Sequence, residues 1–481
     1  MGFGETPDFR ESLYQKGMGG AVEEYLSQAL EKSEFDSWNG GEKQPILDLK
    51  QERKELEVAL KKEKDLDEKK SIEVQIVKLT NEINQSTIRN YEAMFLDWIT
   101  RLNQTKRPFS QRLLLFWHNL FAISREKVDS HLYALYLDRL SSEGLSNWGE
   151  MLLKIAREPA MLQHLDNLSN VKGHPNENFA RELMELFSLG IGNYTEREVQ
   201  EAARAFTGWT LDEEKGCFVF NEAAHDSGVK SFFGKEGNWG GEDIISMILN
   251  HPESTRFLAK RIWNYFVYEN PEPPLIEELS ELIRRSKFDL KIIFRAVFQS
   301  KAFYSVQSRG TQVKSPVLLV AGTLRLLNQR RIPSEMIDKT LRLMGMELVH
   351  PPEVNGWPSG YQWINTSTLL LRYNFINLVI HGKMPRQMRD RNEPKARAIS
   401  FNPQELFEEK RISSSTEVVD YLLELLVQRP LASDLRDRLI KYIETDKSGG
   451  SSSFDMKGQS ASEKIKGLIH LILSSPDYQL C

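Results

Sequence analysis

The sequence predicts a mainly α fold: a multi-helical globular bundle, a coiled-coil helical hairpin inserted near its start, and a small β-hairpin and loop region near 216–240. Three observations predict it. No glycine or proline occurs from Ile46 to Thr105, and apolar residues recur there at heptad spacing. Elsewhere apolar residues line one face of helical stretches, as Phe179, Leu183, Leu186 and Phe187 do before the terminating Gly190. CFVFNEAAHDSGVKSFFGKEGNWGG is the one stretch that mixes β-prone pieces with glycine turns, and a hairpin over roughly 216–233 is expected there.

In chain order, Thr6 and Pro7 suit a helix cap and first turn, and Val22, Leu26 and Leu30 continue at helical spacing. Residues 34–45 read as loop. Ile46, Leu49, Leu56 and Leu60 form one apolar seam, and Ile72, Ile76, Leu79 and Ile83 form another. The charged run KKEKDLDEKK between them interrupts the seam, which favours a fold-back at about Lys62–Lys69 over one long helix. Residues 91–124 read as two helices broken at Arg107-Pro108, the second strongly apolar with His118 inside it. Further helices follow over 127–165, and Thr195 with Glu198 makes a capping box that opens the next at Glu196. Beyond the β-prone stretch, helices resume at 241 and continue to about 385 around the loop HPPEVNGWPSGYQW. The expected organisation is an N-terminal helix and loop of the main domain (1–45), the hairpin insertion (46–90), the main helical domain (91–385) and C-terminal helices (386–481). Within the last, a connector over 385–402 and a disordered loop at 445–461 are expected.

Among 481 residues, 40% are hydrophobic and 27% charged, enough for a real core. With 63 basic and 68 acidic residues the net charge is −5, without the basic excess of a nucleic-acid binder. Cys217 and Cys481 make no disulfide framework. No run of about 18 apolar residues occurs, so no membrane span is expected. The opening MGFGETPDFRESL lacks the charged and apolar segments of a secretory signal.

Three constellations carry candidate chemistry. On the helix Asn176–Leu189, Glu177, Arg181 and Glu185 stand four apart, with Asn176, Asn178 and Glu182 beside them and His174 at the entrance. The plain reading is a self-paired, solvated face; the sharper one is an acid–base, metal or anion site built from His174, Glu177 and Glu182. His225 and Asp226, followed by Lys230, are the second, suited either to proton transfer and metal binding or to turn chemistry. Third is PPEVNGWPSGYQW, whose Trp357 and neighbouring aromatics suit a pocket wall or a plug between helices. No phosphate-binding glycine loop, C-x-x-C pair or G-x-S-x-G elbow is present.

EPAMLQHLDN, HPNENFARELMELFSLGIGNYTEREVQEAARAFTGW and HDSGVKSFFG resemble the family known as domain of unknown function 1800. LLFWHNLFA, VKSPVLLVAGTLRLL, PPEVNGWPSGYQWINTSTLLLRYNF, SSPDYQ and the opening MGFGETP resemble it too, so the likeness covers nearly the whole chain. Glu158 stands where the family has Asp, and Ser188 where it usually has Thr. The resemblance implies a bacterial, mostly helical protein, exported in many members, with the signal missing from this chain; a cytoplasmic location stays open. It implies a gene neighbour of sulfatase- or alkaline-phosphatase-like type, and no reaction or cofactor. The family's polar positions here are His118, Asn176, Glu177, Asn178, Arg181, Glu182, Thr207, Trp209, His225, Asp226 and Lys230. Two functions are therefore expected. One is a binding partner or scaffold for an exported phosphatase- or sulfatase-like protein. The other is an enzyme or ligand-binding protein in which His118, His174, Glu177, Glu182, His225 and Asp226 converge, with Arg181 and Lys230 for an anion.

Overall fold

Helix α1 (Pro7–Leu30) begins with proline at its first position, and a sharp bend at Gly17 (φ 65, ψ 177) divides it. The rings of Phe9 and Tyr25 meet edge to face at 5.8 Å. Sixteen residues of straight helix would hold them about 24 Å apart, so α1 is two short helices folded back on each other. A left-handed φ followed by an extended ψ is open to glycine and costly for any other residue. The structure, a computed structural model, describes residues 7–30, 37–38, 43–213, 215–329, 332–382, 401–407, 412, 414–427, 433–445, 450, 454–456, 458 and 460–481. The expected Thr6 cap, most of the 34–45 loop, most of the 385–402 connector and much of the 445–461 loop lie outside them.

Helices α2 (Lys43–Lys62) and α3 (Leu66–Gln104) fold back on each other. The chain turns at Glu63–Asp65, and Asp65 caps α3 by accepting from the amides of Asp67 and Glu68 at 2.9 and 3.0 Å. The charge run thus supplies both the break and the cap. Ile46, Leu79 and Ile83 of the expected seam are buried, and Leu49, Leu56, Leu60, Ile72 and Ile76 are half-buried. Helix α3 does not stop near residue 90 but runs unbroken to Gln104, so its second half is part of the core.

That core is built on α4 (Pro108–Leu120), buried on nearly every side. Trp117 stacks on Trp148 (5.5 Å, 25°), which stacks on Phe121 (5.4 Å, 22°), and the Trp117 indole donates to Gly144 O at 2.8 Å. Around it lie α5 (Ser130–Glu143), α6 (Trp148–Ala156) and α7 (Pro159–His164), then α8 (Asn178–Glu185) and α9 (Glu196–Phe206). Two antiparallel pairs follow. Strand β1 (Trp209–Asp212) pairs with β2 (Cys217–Phe220), and β3 (Lys230–Phe232) with β4 (Lys235–Gly237). The single hairpin expected over 216–233 is therefore two, and its first strand lies upstream. WTLD follows directly on a helix and carries no alternation of its own; its pairing with CFVF makes it a strand.

The rest is helical: α10 (Gly241–Asn250), α11 (Pro252–Phe266), α12 (Pro273–Arg285), α13 (Leu290–Gln299), α14 (Pro316–Leu326), α15 (Ser334–Leu343), α16 (Thr366–His381), α17 (Ser415–Leu426), α18 (Ser433–Ile443) and α19 (Ala461–Leu473). The last residues return to the centre. Cys481 and Gln312 exchange backbone bonds at 2.8 and 3.2 Å, Lys314 N donates to Gln479 O at 2.8 Å, and Tyr478 and Thr323 hydroxyls meet at 2.8 Å. No described helix is long and apolar enough to cross a membrane.

Candidate functional site

The signature helix starts on a ladder of asparagines. Asn176 accepts from Asn178 N at 3.0 Å and donates through its amide to Asp166 O (3.2 Å) and Ser169 Oγ (3.0 Å). Asn178 donates to Leu165 O at 3.0 Å. Beneath them Asn170, 1% exposed, accepts from Asn176 N (2.9 Å) and donates to Ala203 O (2.9 Å) and Asn167 Oδ1 (3.1 Å). Asn167, fully buried, donates to Trp209 O at 3.0 Å. An amide side chain both donates and accepts, so a row of them satisfies backbone groups on several segments at once. This row ties the end of α7, the start of α8, the end of α9 and the start of β1 together. Asn167 and Asn170 escape a reading by helical spacing, although the asparagine-rich run DNLSN just ahead of HPNEN is the local signal for them.

On the exposed side of α8, Arg181 pairs with Glu177 at 3.0 Å, as expected for a helix pair. Its second partner is not Glu185 but Glu196 at the start of α9, held through both guanidinium ends at 2.8 and 2.6 Å. Glu185 instead accepts from the Tyr194 hydroxyl. The bidentate grip raises the Arg181 pKa and lowers that of Glu196, both chiefly through the hydrogen bonds between them. Glu182 is half-buried, and burial, helped by the Glu185 charge, pushes its carboxyl up. His174 is exposed at a tight turn closed by its own amide on Val171 O at 3.0 Å.

His225 and Asp226 belong to a second constellation, centred on Thr207 and Arg204. His225 Nδ1 lies 2.8 Å from Thr207 O, so Nδ1 carries the proton and donates. Thr207 Oγ1 accepts from Asp226 N at 2.7 Å. The Asp226 carboxylate accepts from Arg204 Nε (2.8 Å) and Gly228 N (2.8 Å), and these hold its pKa down to about 2. Arg204 also reaches Glu201 at 2.8 Å. Lys230, 1% exposed, donates to Asp226 O (2.5 Å) and Gly228 O (3.1 Å), and burial lowers its pKa. Gly208 fixes the approach: its φ is 82, and a Cβ there would lie 2.5 Å from Asn221 O. Gly208→Ala is expected to cost about 2 kcal/mol or more, because left-handed strain adds to a backbone clash; thermal unfolding of the variant measures it.

The remaining candidates lie elsewhere. His118 is fully buried in α4, stacked on Trp357 (5.1 Å, 23°) and edge-on to Trp98 (5.2 Å). The Tyr133 hydroxyl donates to Ile123 O at 3.1 Å, so His118 Nε2 donates to Tyr133 across 2.5 Å and Nδ1 is left as an unpaired buried acceptor. Burial lowers its pKa to about 3. Asn119, the next residue, accepts from Trp357 N at 2.7 Å. Trp357 lines a cleft of about 80 Å³ with Tyr265, Glu269, Gln312 and Trp363. Trp209 is a core residue, 2% exposed, edge-on to Phe206 at 5.0 Å. His118 is buried and His174 exposed, and no described hydrogen bond or ring contact joins them. No described hydrogen bond or ion pair joins Glu177 or Glu182 to His225 or Asp226. Among the described residues no group of three or more His, Cys, Asp or Glu is placed to hold a metal ion.

Fold and site together define a mainly α protein whose motif residues are joined to one another by polar contacts, fully buried at Asn167 and Asn170 and partly buried or exposed elsewhere. Its sequence matches, over residues 1–480, the family described as Protein of unknown function (DUF1800), and the chain belongs to that family. No curated protein and no solved structure gave a match.

Proposed function

We propose that this chain is a non-catalytic helical binding partner or scaffold, and that its partner is an exported phosphatase- or sulfatase-like protein of the kind the family resemblance implies. One observation carries the reading: the motifs are spent on each other. Asn119 of FWHN holds Trp357 of NGWP. Asn176 and Asn178 of PNEN hold the HLDNLSN segment. Thr207 of FTGW holds His225 and Asp226 of HDSG. Lys314 of VKSP is bound through its backbone to Gln479 of PDYQ. A catalytic group needs an atom turned toward substrate; these atoms are turned toward the protein.

The hairpin of α2 and α3 is the docking element in this reading. Val58, Val74 and Val77 on it are 46%, 69% and 59% exposed, while the neighbouring charges keep it soluble. Co-expression of the full chain with an exported alkaline-phosphatase-like protein, followed by affinity recovery, tests it. Val74→Asp with Val77→Asp is expected to lower recovery at least about fivefold without moving the melting temperature. Recovery equal to that of the parent chain contradicts docking at the hairpin. One observation favours the alternative of a polar ligand site: Glu182 is half-buried and its carboxylate accepts no hydrogen bond among the described residues.

A further inference from the structure

The cleft of about 80 Å³ beside Trp357 lies between the end of α4, the loop after α11, the approach to α14 and the loop NGWPSGYQW ahead of α16. It is larger than one water needs and smaller than the pocket of a drug-sized ligand, so it takes one head group or the end of one side chain. Three aromatic side chains line it: Trp357, Trp363 and Tyr265. The stack of Trp357 on His118 and the bond from its amide to Asn119 fix that ring in place.

Among the described residues that line the cleft, Glu269 alone carries a charge. Its carboxylate lies at the wall, against Gly360 (φ 55): a Cβ there would come within 2.7 and 2.9 Å of its two oxygens. Glu269 is exposed, and it makes no hydrogen bond or ion pair among the described residues. Gln312 adds a second acceptor. Its amide nitrogen donates to Asn264 O at 2.7 Å, which leaves Oε1 of this half-buried residue without a donor.

Charge narrows the ligand. An anion would meet the Glu269 carboxylate and the Gln312 oxygen, with no arginine or lysine on the lining to offset them. A metal ion would find one carboxylate, too few ligands to hold it. A neutral apolar group would cover Glu269 without a partner. An organic cation meets a counter-charge and aromatic rings that attract it. Two cations adjoin lining residues, and both are buried against rings: Arg112 lies 5.6 Å from the Tyr265 centroid and Lys314 3.7 Å from that of Tyr478. Asn119 Nδ2 makes no hydrogen bond among the described residues, and as a donor it suits a carbonyl next to the cation, as in a basic residue of a peptide.

We propose that this cleft binds the head group of an organic cation, an alkylammonium or a guanidinium, with Glu269 as its counter-charge and Trp357, Trp363 and Tyr265 as its walls. It is a function beyond the scaffold reading and independent of it. Saturation-transfer NMR on the full chain tests it. Tetramethylammonium and agmatine are the free cations, an acetylated glycyl-arginyl-glycinamide carries the cation on a peptide, and tert-butanol and acetate are the neutral and anionic comparisons. The expected result is transfer to at least one cationic probe and to neither comparison, and the probe that responds separates a free cation from a basic side chain. Glu269→Gln should weaken that affinity about fivefold, whereas Glu278→Gln, at an exposed acid of α12 outside the cleft, should leave it unchanged. Gly360→Ala, which displaces the carboxylate from the wall, should weaken it likewise and decides if Glu269→Gln fails to fold. Transfer to no cationic probe, equal transfer to tert-butanol or acetate, or unchanged affinity in a folded Glu269→Gln variant overturns the proposal.

Discussion

Acidification is expected to destabilise this chain from about pH 6.5 downward, through two buried histidines. His118 is fully buried and its pKa is lowered to about 3; His164, 4% exposed, is lowered to about 4, in both cases mainly by burial. Each has a neutral role. His118 donates through Nε2 to Tyr133, and His164 accepts from Ser124 N at 3.4 Å through Nδ1. The sign follows from which state takes the proton first. An unfolded histidine binds one near pH 6.5, whereas these two in the folded chain do not until about pH 4 and about pH 3. Their contribution to stability is complete above the unfolded value and falls as pH drops toward the folded ones, by about 1.4 kcal/mol per pH unit for each histidine. Glu158, whose carboxyl is raised by burial, acts in the opposite sense over part of this range. Urea midpoints measured from about pH 7 to about pH 5 should therefore fall steeply, and less steeply in His118→Gln. A slope unaltered by that substitution would show that His118 is not the titrating group.

Asn170→Ala is expected to be the most damaging single change in the signature region, at about 3–5 kcal/mol. The side chain makes three bonds, to Ala203 O, Asn167 Oδ1 and Asn176 N, and it is 1% exposed. Truncation leaves Ala203 O and Asn167 Oδ1 buried without that donor and takes the acceptor from the partly buried Asn176 N. Asn170→Asp should do nearly as much harm. It keeps the acceptor for Asn176 N but faces Ala203 O and Asn167 Oδ1 with oxygen in place of a donor. Denaturant unfolding of the two variants checks both expectations.

What the sequence made legible was local. The capping box at Thr195, the apolar face of α8, the buried α4 and the fold-back inside the charge run all depend on residues within a few positions of each other. Bonds made across the chain were not legible in the same way. Spacing favoured Glu185 as a partner of Arg181, but Glu196 reaches the guanidinium from the next helix with better bidentate geometry. Asp226 was legible as turn chemistry, while its pairing with Arg204 depends on where α9 ends. The bend of α1 rests on one backbone angle at Gly17, and nothing local sets that glycine apart from Gly19 and Gly20 just after it; the strand WTLD exists only because CFVF lies beside it. The resemblance to the family singled out Asn176 and Asn178. It gave no role for them, and the structure supplies one: they hold the start of α8 on the preceding turn.

The claim that the signature is an internal lock is tested most directly by guanidinium unfolding of Asn170→Ala, Asn178→Ala, Arg181→Ala and Glu182→Gln side by side. The loss of stability should follow the number of buried bonds removed. Asn170→Ala should lose most, Asn178→Ala about 1–2 kcal/mol, and the two substitutions on the partly exposed face of α8 within about 0.5 kcal/mol of the parent. A stable Asn170→Ala variant, within about 0.5 kcal/mol of the parent chain, would contradict the account, because the asparagines would then be kept for something other than the fold.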